Sequence, residues 1–140
     1  MIGRMFADAL FEADSKQIAE EILIYVKRAF EAGLGELQWM SDETKVKAKS
    51  KSQQVMQKIG FPQWIANVAN LTKHYEHTDA QPTGADYFKN VVRSNEFDQK
   101  EMERDLDKPV DKAKWEMFPS EVNAYYNPSN NEIVFPAGMH

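Results

Sequence analysis

The chain contains no cysteine among its 140 residues. Disulfide bonds and thiolate chemistry are therefore excluded within it, and a cytosolic or bacterial setting is favoured. Long hydrophobic runs are also missing. No apolar stretch approaches the roughly 20 residues that a membrane-spanning helix requires, so we expect no membrane segment in this chain. The first residues carry one arginine and then acids, a pattern that is not expected of a signal peptide.

Positive charge is in deficit, because 17 lysines and arginines face 22 acidic residues and leave a net charge of −5. A nucleic-acid partner is not expected, since affinity for nucleic acid depends mostly on neutralising phosphates. Hydrophobic residues make up 42% and charged residues 28%, which is typical of one globular domain. One local basic cluster has acidic neighbours and is interpreted as a solvated helix face. It comprises Lys45, Lys47, Lys49, Lys51 and Lys58.

Helical periodicity dominates the first two thirds of the chain. The pattern predicts helices from about Arg4 to Ala13, from a cap at Asp14–Ser15 to Gly33 and Gly35, from a cap at Ser41 to Ile59, and from about Ala85 to Asp107. Residues 61–84 are ambiguous, with a turn or two of helix and then a loop. The second helix carries an apolar stripe that comprises Ile18, Ile22, Tyr25, Val26, Ala29 and Phe30.

The last 25 residues change character. Residues 121–126 and 132–135 are rich in β-favouring side chains, and the turn formers of residues 127–130 separate them. This pattern predicts a β-hairpin. Because a lone hairpin is only marginally stable in water, it indicates that part of the sheet is missing. The fold class expected is mainly α, a helical bundle-like lobe with a C-terminal β-hairpin.

No self-contained catalytic or metal site can be assembled from the residues. His74 and His77 have a spacing that could share a metal on a helix, but a polar, loop-prone segment favours the surface interpretation. The His-Glu-x-x-His, P-loop and Gly-x-Ser-x-Gly patterns are absent. The carboxylates Glu101, Glu103, Asp105 and Asp107 are expected on a solvated helix face. Six aromatic residues are expected to be core anchors, namely Trp39, Trp64, Trp115, Tyr87, Phe88 and Phe118.

Asn123 and its neighbours suggest a different activity. A strand with an outward asparagine on a free edge could bind a peptide by adding it as a further strand. The asparagine carboxamide would then supply both a donor and an acceptor. From the residues alone, an ordinary amphipathic hairpin remains the favoured interpretation.

Several segments resemble the neprilysin family of zinc metallopeptidases, which includes endothelin-converting enzymes and bacterial oligopeptidases. The most specific is Val-Asn-Ala-Tyr-Tyr-Asn-Pro-x-x-Asn-Glu-Ile-Val-Phe-Pro-Ala-Gly at residues 122–138, similar to the stretch that precedes the family's zinc-binding helix. Residues 3–11, 39–48, 59–62 and 110–115 resemble further family motifs in the same order. The resemblance therefore covers nearly the whole chain. Residues 138–140 depart from the family pattern.

The resemblance implies a fragment of a zinc metalloendopeptidase that cleaves small peptides in a chamber between two domains. Residues 1–112 would belong to the helical lobe, and residues 113–140 would form the first hairpin of the thermolysin-like catalytic domain. The Asn123 carboxamide and the Ala124 backbone would hydrogen-bond the main chain of the substrate. In family members the zinc ligands and the glutamate base lie further downstream, so we expect this chain to bind no zinc and to be inactive alone.

An alternative is a helical interaction module that has a free strand edge and no enzymatic activity. The apolar stripe of the second helix and the unpaired hairpin motivate it, and self-association of the chain is a further expectation. The full-length enzyme that the resemblance implies would be either extracellular or periplasmic, or bacterial and cytoplasmic. The lack of cysteine favours a bacterial source.

Overall fold

A computed structural model describes residues 2–78 and 87–139 of the chain. These ranges contain α1 (Ile2–Leu10), α2 (Ala13–Leu34), α3 (Asp42–Gln53), β1 (Met56–Gly60), α4 (Val68–His74), α5 (Tyr87–Asp105), β2 (Tyr125–Asn127) and β3 (Glu132–Pro136). Short 3-10 helices cover Gln63–Ala66 and Ala137–Met139. Across these ranges, helices outweigh strands and the chain closes with a hairpin, which confirms the expected fold class. Among the helices described, none combines the length and the apolar character needed to cross a membrane.

The chain divides into two compact units. The first joins Met1–Pro62 with Trp115–His140, and the second is Gln63–Lys114. Their boundaries differ from those of the lobes expected from the family resemblance. The expected division at residues 112 and 113 concerns the complete enzyme, however, and it stays a prediction.

In the first unit, the ends of α2 differ from the sequence expectation. Glu12 occupies the N-cap position with an extended backbone and makes no side-chain cap, so the expected cap at Asp14–Ser15 was wrong. Asp14 lies instead in the first helical turn, where its carboxylate interacts favourably with the partial positive charge of the helix N-terminus. Gly35 ends the helix in the right-handed conformation (φ −61°), not the left-handed one, and its N–H reaches the carbonyls of Ala32 and Gly33.

The helix α3 begins as expected but ends early. Ser41 caps it, with the Thr44 N–H donating to Ser41 Oγ at 3.3 Å. The prediction that it continues to Ile59 was wrong, because α3 ends at Gln53 and residues 56–60 form β1. The cause is tertiary pairing. β1 lies parallel to β3 in a register from Met56 opposite Glu132 to Gly60 opposite Pro136, and this pairing outweighs the local helical pattern.

The three strands form one sheet in the order β1-β3-β2. β3 is central, and β2 pairs with it antiparallel from Tyr125 opposite Val134 to Asn127 opposite Glu132. The expectation of a hairpin without a further strand was therefore wrong, because a segment about 70 residues earlier in the sequence supplies one. A parallel pair of this kind needs a long crossover connection, so a scan for neighbouring strands misses it.

The first unit buries an ion pair inside this sheet. Lys58 on β1 and Glu132 on β3 are 6% and 1% exposed, and the ammonium lies 2.8 Å from Glu132 Oε2. That oxygen accepts no aligned hydrogen bond from the described residues, so the interaction is an ion pair. Ile59, Val134 and Ala137 are buried as well. Lys58 therefore does not belong to the solvated face that the lysine cluster was expected to form.

Gly60, at the end of β1, is fixed by its backbone and by Phe11. Its φ of +86° is one that L side chains rarely adopt. A Cβ atom at this position would lie 2.8 Å from the Phe11 ring, which also makes an edge-to-face contact with Phe61 at 5.9 Å. Only glycine tolerates both the positive φ at this position and the close approach of the Phe11 ring.

In the second unit, ring contacts join Trp64 to His74, and both His74 and Tyr75 to Phe97. Ile65, Leu71 and Phe97 are buried. Asn67 caps α4 by accepting the Ala69 N–H at 2.8 Å.

α5 ends at Asp105, two residues before the expected end, whereas its expected start near Ala85 lies outside the described residues. The same holds for most of the expected loop after Thr78.

The prediction that six aromatic residues anchor the core was wrong for five of them. Trp39, Tyr87, Phe88 and Phe118 are between 72% and 78% exposed and Trp64 is 37% exposed, whereas Trp115 is partly buried. The stripe of α2 is exposed as well, with Ile18, Ile22 and Val26 at 56–57%. Apolar residues at helical spacing indicate a surface that needs a partner. The spacing does not show whether that partner is another part of this chain.

Gly60→Ala should lower the free energy of unfolding by roughly 1–3 kcal/mol for the strained backbone alone, with the contact to Phe11 adding to it. Gly33→Ala is the matched control, because no atom lies within 4 Å of a Cβ there and the residue is helical. It should raise the free energy of unfolding by about 0.5–1 kcal/mol. Urea denaturation followed by circular dichroism measures both, and equal effects would contradict this account of Gly60.

Lys58→Met should lower the free energy of unfolding by about 3–5 kcal/mol, because Glu132 would remain buried without its counter-charge. The double variant K58M/E132L removes both charges and should unfold within about 1 kcal/mol of the parent chain or be more stable. Denaturation curves of the single and double variants decide this. A double variant as unstable as the single one would show that the ion pair itself stabilises the sheet.

Candidate functional site

The β2–β3 hairpin is held by a turn built from asparagines. Asn127 Oδ1 accepts the N–H groups of Ser129 at 3.0 Å and Asn130 at 3.4 Å, which closes the turn. Asn131 completes it with a φ of 50°, a conformation that asparagine tolerates better than most residues. Asn131 then ties the turn to β1, because its carbonyl accepts the Met56 N–H at 2.9 Å.

The approach to β2 is fixed by Gly138. Its N–H donates to the Pro119 carbonyl at 2.8 Å, and a Cβ atom at this glycine would lie 2.6 Å from the Glu121 carbonyl oxygen. Glu121 also closes its own turn, since its carboxylate accepts the Phe118 N–H at 3.1 Å. The chain that enters the candidate site is therefore anchored to the segment that follows β3.

Asn123 and Ala124 lie immediately before β2, not within it. Asn123 is exposed, and its Oδ1 accepts the Ala124 N–H at 2.8 Å. Among the described residues its side-chain NH₂ group has no hydrogen-bond partner. β2 is an edge strand, because in the described part of the chain only β3 pairs with it. The strand expected over residues 121–126 is thus shorter and starts later, at Tyr125.

Tyr125 links the site to the sheet. Its hydroxyl oxygen accepts the Glu116 N–H at 3.3 Å. Burial raises the pKa of the Tyr125 phenol, and the charges of Glu116 and Glu132 act in the same direction against the effect of that hydrogen bond. The phenol is therefore neutral at physiological pH, and its hydroxyl ties the first residue of β2 to the Glu116 backbone.

The two histidines of the expected surface pair do not converge on a common point. The His74 ring packs at 4.7 Å from those of Trp64 and Tyr75, and at 5.5 Å from that of Phe97. His77 is exposed and lies 3.3 Å from Glu76. In residues 2–78 and 87–139, no three histidine or acidic side chains form a group able to hold a metal ion. His140 lies outside the described residues.

The charged residues form surface pairs. On α3, Lys47 pairs with Glu43, and Lys45 with Asp42, as a solvated helix face would. In the second unit, Asp105 accepts a hydrogen bond from Lys114, which holds the pKa of that carboxyl below its usual value. These pairs supply no convergent acid and base.

The sequence interpretation missed a groove on the first unit. It has a volume of about 430 Å³ and lies between α2, α3 and the sheet. Its apolar lining includes Leu23, Val26, Phe30, Ala48, Val55 and Ile133. The four-residue spacing of Val26 and Phe30 was the available signal, and these residues were assigned to the apolar stripe of α2 without a groove beside it.

Comparisons with known proteins agree with these features. The sequence profile of Peptidase family M13 matches residues 1–62. An endothelin-converting enzyme homolog from Locusta migratoria is 41% identical over 138 residues, which are 99% of this chain and 19% of that protein. The chain therefore spans about a fifth of the length of the curated relatives that it matches.

Solved structures give the same answer for the fold. A crystal structure of PepO from Lactobacillus rhamnosis superposes with a TM-score of 0.84 at 27% identity, covering 99% of this chain and 21% of that one. Mycobacterium tuberculosis zinc metalloprotease ZMP1, in complex with an inhibitor, gives a TM-score of 0.76 at 27% identity over 99% of this chain and 19% of its own. Sequence and fold together show that the chain belongs to peptidase family M13, the neprilysin family.

Proposed function

We propose that this chain is part of a zinc-dependent metalloendopeptidase that cleaves small peptides, and that residues 123 and 124 hold the backbone of the substrate. The observation that carries the proposal is the pairing of the family's hairpin sequence with an edge strand whose outer side has no described partner. The structurally similar ZMP1 is a zinc metalloprotease, which supports the class of reaction.

The groups at the edge suit a peptide main chain. The Asn123 NH₂ group can donate to a peptide carbonyl while its Oδ1 remains engaged with Ala124. The Ala124 carbonyl can accept a peptide N–H in the manner of an added strand. Main-chain hydrogen bonds of this kind give affinity without selecting side chains, so they favour a peptide over other ligands.

Zinc would supply the hydrolytic chemistry in the longer enzyme, where it polarises the scissile carbonyl and activates water. The described residues of this chain do not fit a zinc site, because they bring no three suitable ligands together. This chain's own part is therefore limited to binding and orienting the peptide, and the proton transfers belong to residues elsewhere in such an enzyme.

A second candidate function is supported by the exposed stripe of α2. Ile22 is 57% and Phe30 is 50% exposed, and apolar patches of this kind mark interaction sites. The chain would then act as a helical interaction module with a free strand edge. A strict monomer in light scattering that also binds no peptide would contradict this second function.

The 140-residue chain alone should contain no stoichiometric zinc and should cleave no peptide. Metal analysis after dialysis, with a fluorogenic peptide assay with and without chelator, tests this expectation. One tightly bound zinc per chain together with chelator-sensitive cleavage would overturn it.

The role of Asn123 can be tested in a chimaera in which this chain replaces the matching fifth of a full-length relative. Asn123→Ala should lower kcat/KM about tenfold or more, because one hydrogen bond to the peptide backbone is lost. Asn95→Ala is the matched control, since Asn95 is an exposed asparagine on α5. Equal kcat/KM values for the two variants would refute the role of Asn123.

A further inference from the structure

The exposed stripe of α2 has the pattern of a helix that pairs with another helix. Ile18, Ile22, Tyr25 and Ala29 alternate at spacings of four and three residues, as the a and d positions of a coiled coil do. The three larger side chains are 56%, 57% and 66% exposed, and Ala29 is exposed too. The stripe extends over about 17 Å of helix, or roughly three turns.

The flank of the stripe carries opposite charges one heptad apart. With Ile22 and Ala29 at a, and Ile18 and Tyr25 at d, residues 21 and 28 fall at successive g positions. These are Glu21 and Arg28, and both side chains are exposed. Their described contacts stay on α2, because Gln17 donates to Glu21 at 3.0 Å and the Arg28 guanidinium lies 5.9 Å from the Tyr25 ring centre.

We propose that this face binds a second copy of the chain, with the two α2 helices antiparallel about a two-fold axis near residue 24. In that arrangement the g positions of the two helices face each other. Glu21 of each copy then meets Arg28 of the other, which gives two equivalent ion pairs. Ile22 of each copy packs against Tyr25 of the other, and Ile18 against Ala29. A two-fold interface requires this self-complementarity.

The charge pattern selects the antiparallel arrangement. In a parallel pair a g residue faces the residue five positions later in the partner. Glu21 would then face Val26, and Arg28 would face Gly33, so both charges would lack a partner. Only the antiparallel pair satisfies both charges at once, and it does so with no other protein. A second copy is therefore the occupant that the surface itself specifies.

The neighbouring groove adds apolar surface on the side of the stripe opposite Glu21 and Arg28. Val26 and Phe30 belong to both the exposed helix face and the groove. Three helical turns from each copy bury less surface than a standard stable interface. The dimer should therefore dissociate in the micromolar range or above.

The inference rests on the second candidate function and is independent of the peptide-binding role of Asn123. Sedimentation velocity of the 140-residue chain, from low micromolar to near-millimolar concentration, should show a reversible monomer–dimer equilibrium. Glu21→Arg and Arg28→Glu should each weaken the dimer about tenfold, since two attractive contacts become two repulsive ones.

Mixing the two single variants provides the sharpest test. One variant then carries arginine at both positions and the other carries glutamate at both, so a heterodimer regains two ion pairs. A 1:1 mixture should associate about as tightly as the parent chain, and the double variant E21R/R28E should do the same as a homodimer. Glu43→Arg is the control, because it reverses an exposed charge on α3.

Each other outcome contradicts the pairing. A parent chain that stays monomeric would show that something other than a second copy covers α2, and peptide binding by that monomer would leave the interaction module intact. Association that ignores the charge reversals, or that proceeds to larger aggregates, would reject the antiparallel pair while leaving self-association in place. Circular dichroism of every variant confirms that the helices remain folded.

Discussion

The parallel pairing of β1 with β3 is the constraint on which the first unit depends. It joins a segment that follows α3 to a segment near the end of the sequence, and it encloses the Lys58–Glu132 ion pair at 2.8 Å. Two charges buried at this depth are costly unless they stay together. The pair therefore penalises any register of the two strands that separates them, and with it any shift of the hairpin.

The candidate peptide-binding segment inherits its position from this pairing. β3 holds β2, the asparagine turn closes the hairpin, and Gly138 leaves no room between the end of β3 and the chain that leads to Asn123. The groups proposed to bind a peptide are thus carried by a small three-stranded sheet, although they lie one or two residues outside it. Such support suits a role in holding an extended main chain in one orientation.

The surface of the chain is more apolar than the sequence pattern indicates. The apolar stripe lies exposed along α2, and Trp39, Tyr87, Phe88 and Phe118, which were expected to anchor the core, are exposed as well. A helical stripe specifies that a face needs a partner but not where that partner comes from. In this chain the groove and the stripe of α2 form one apolar surface, and the charges at Glu21 and Arg28 give that surface a preferred direction of pairing.

The sequence by itself determined the helices that have local signals, such as the Ser41 cap of α3, along with the asparagine turn of the hairpin and the family to which the chain belongs. These features are encoded by neighbouring residues, so a pattern of a few positions suffices to find them. Only the tertiary structure decided that residues 56–60 are a strand, that Lys58 is buried, and that Asn123 and Ala124 stand just before the edge strand. The first two depend on contacts between residues far apart in the chain, and the third depends on how the hairpin pairs. The free energy of such contacts exceeds local propensity, which is why the sequence pattern alone does not show them.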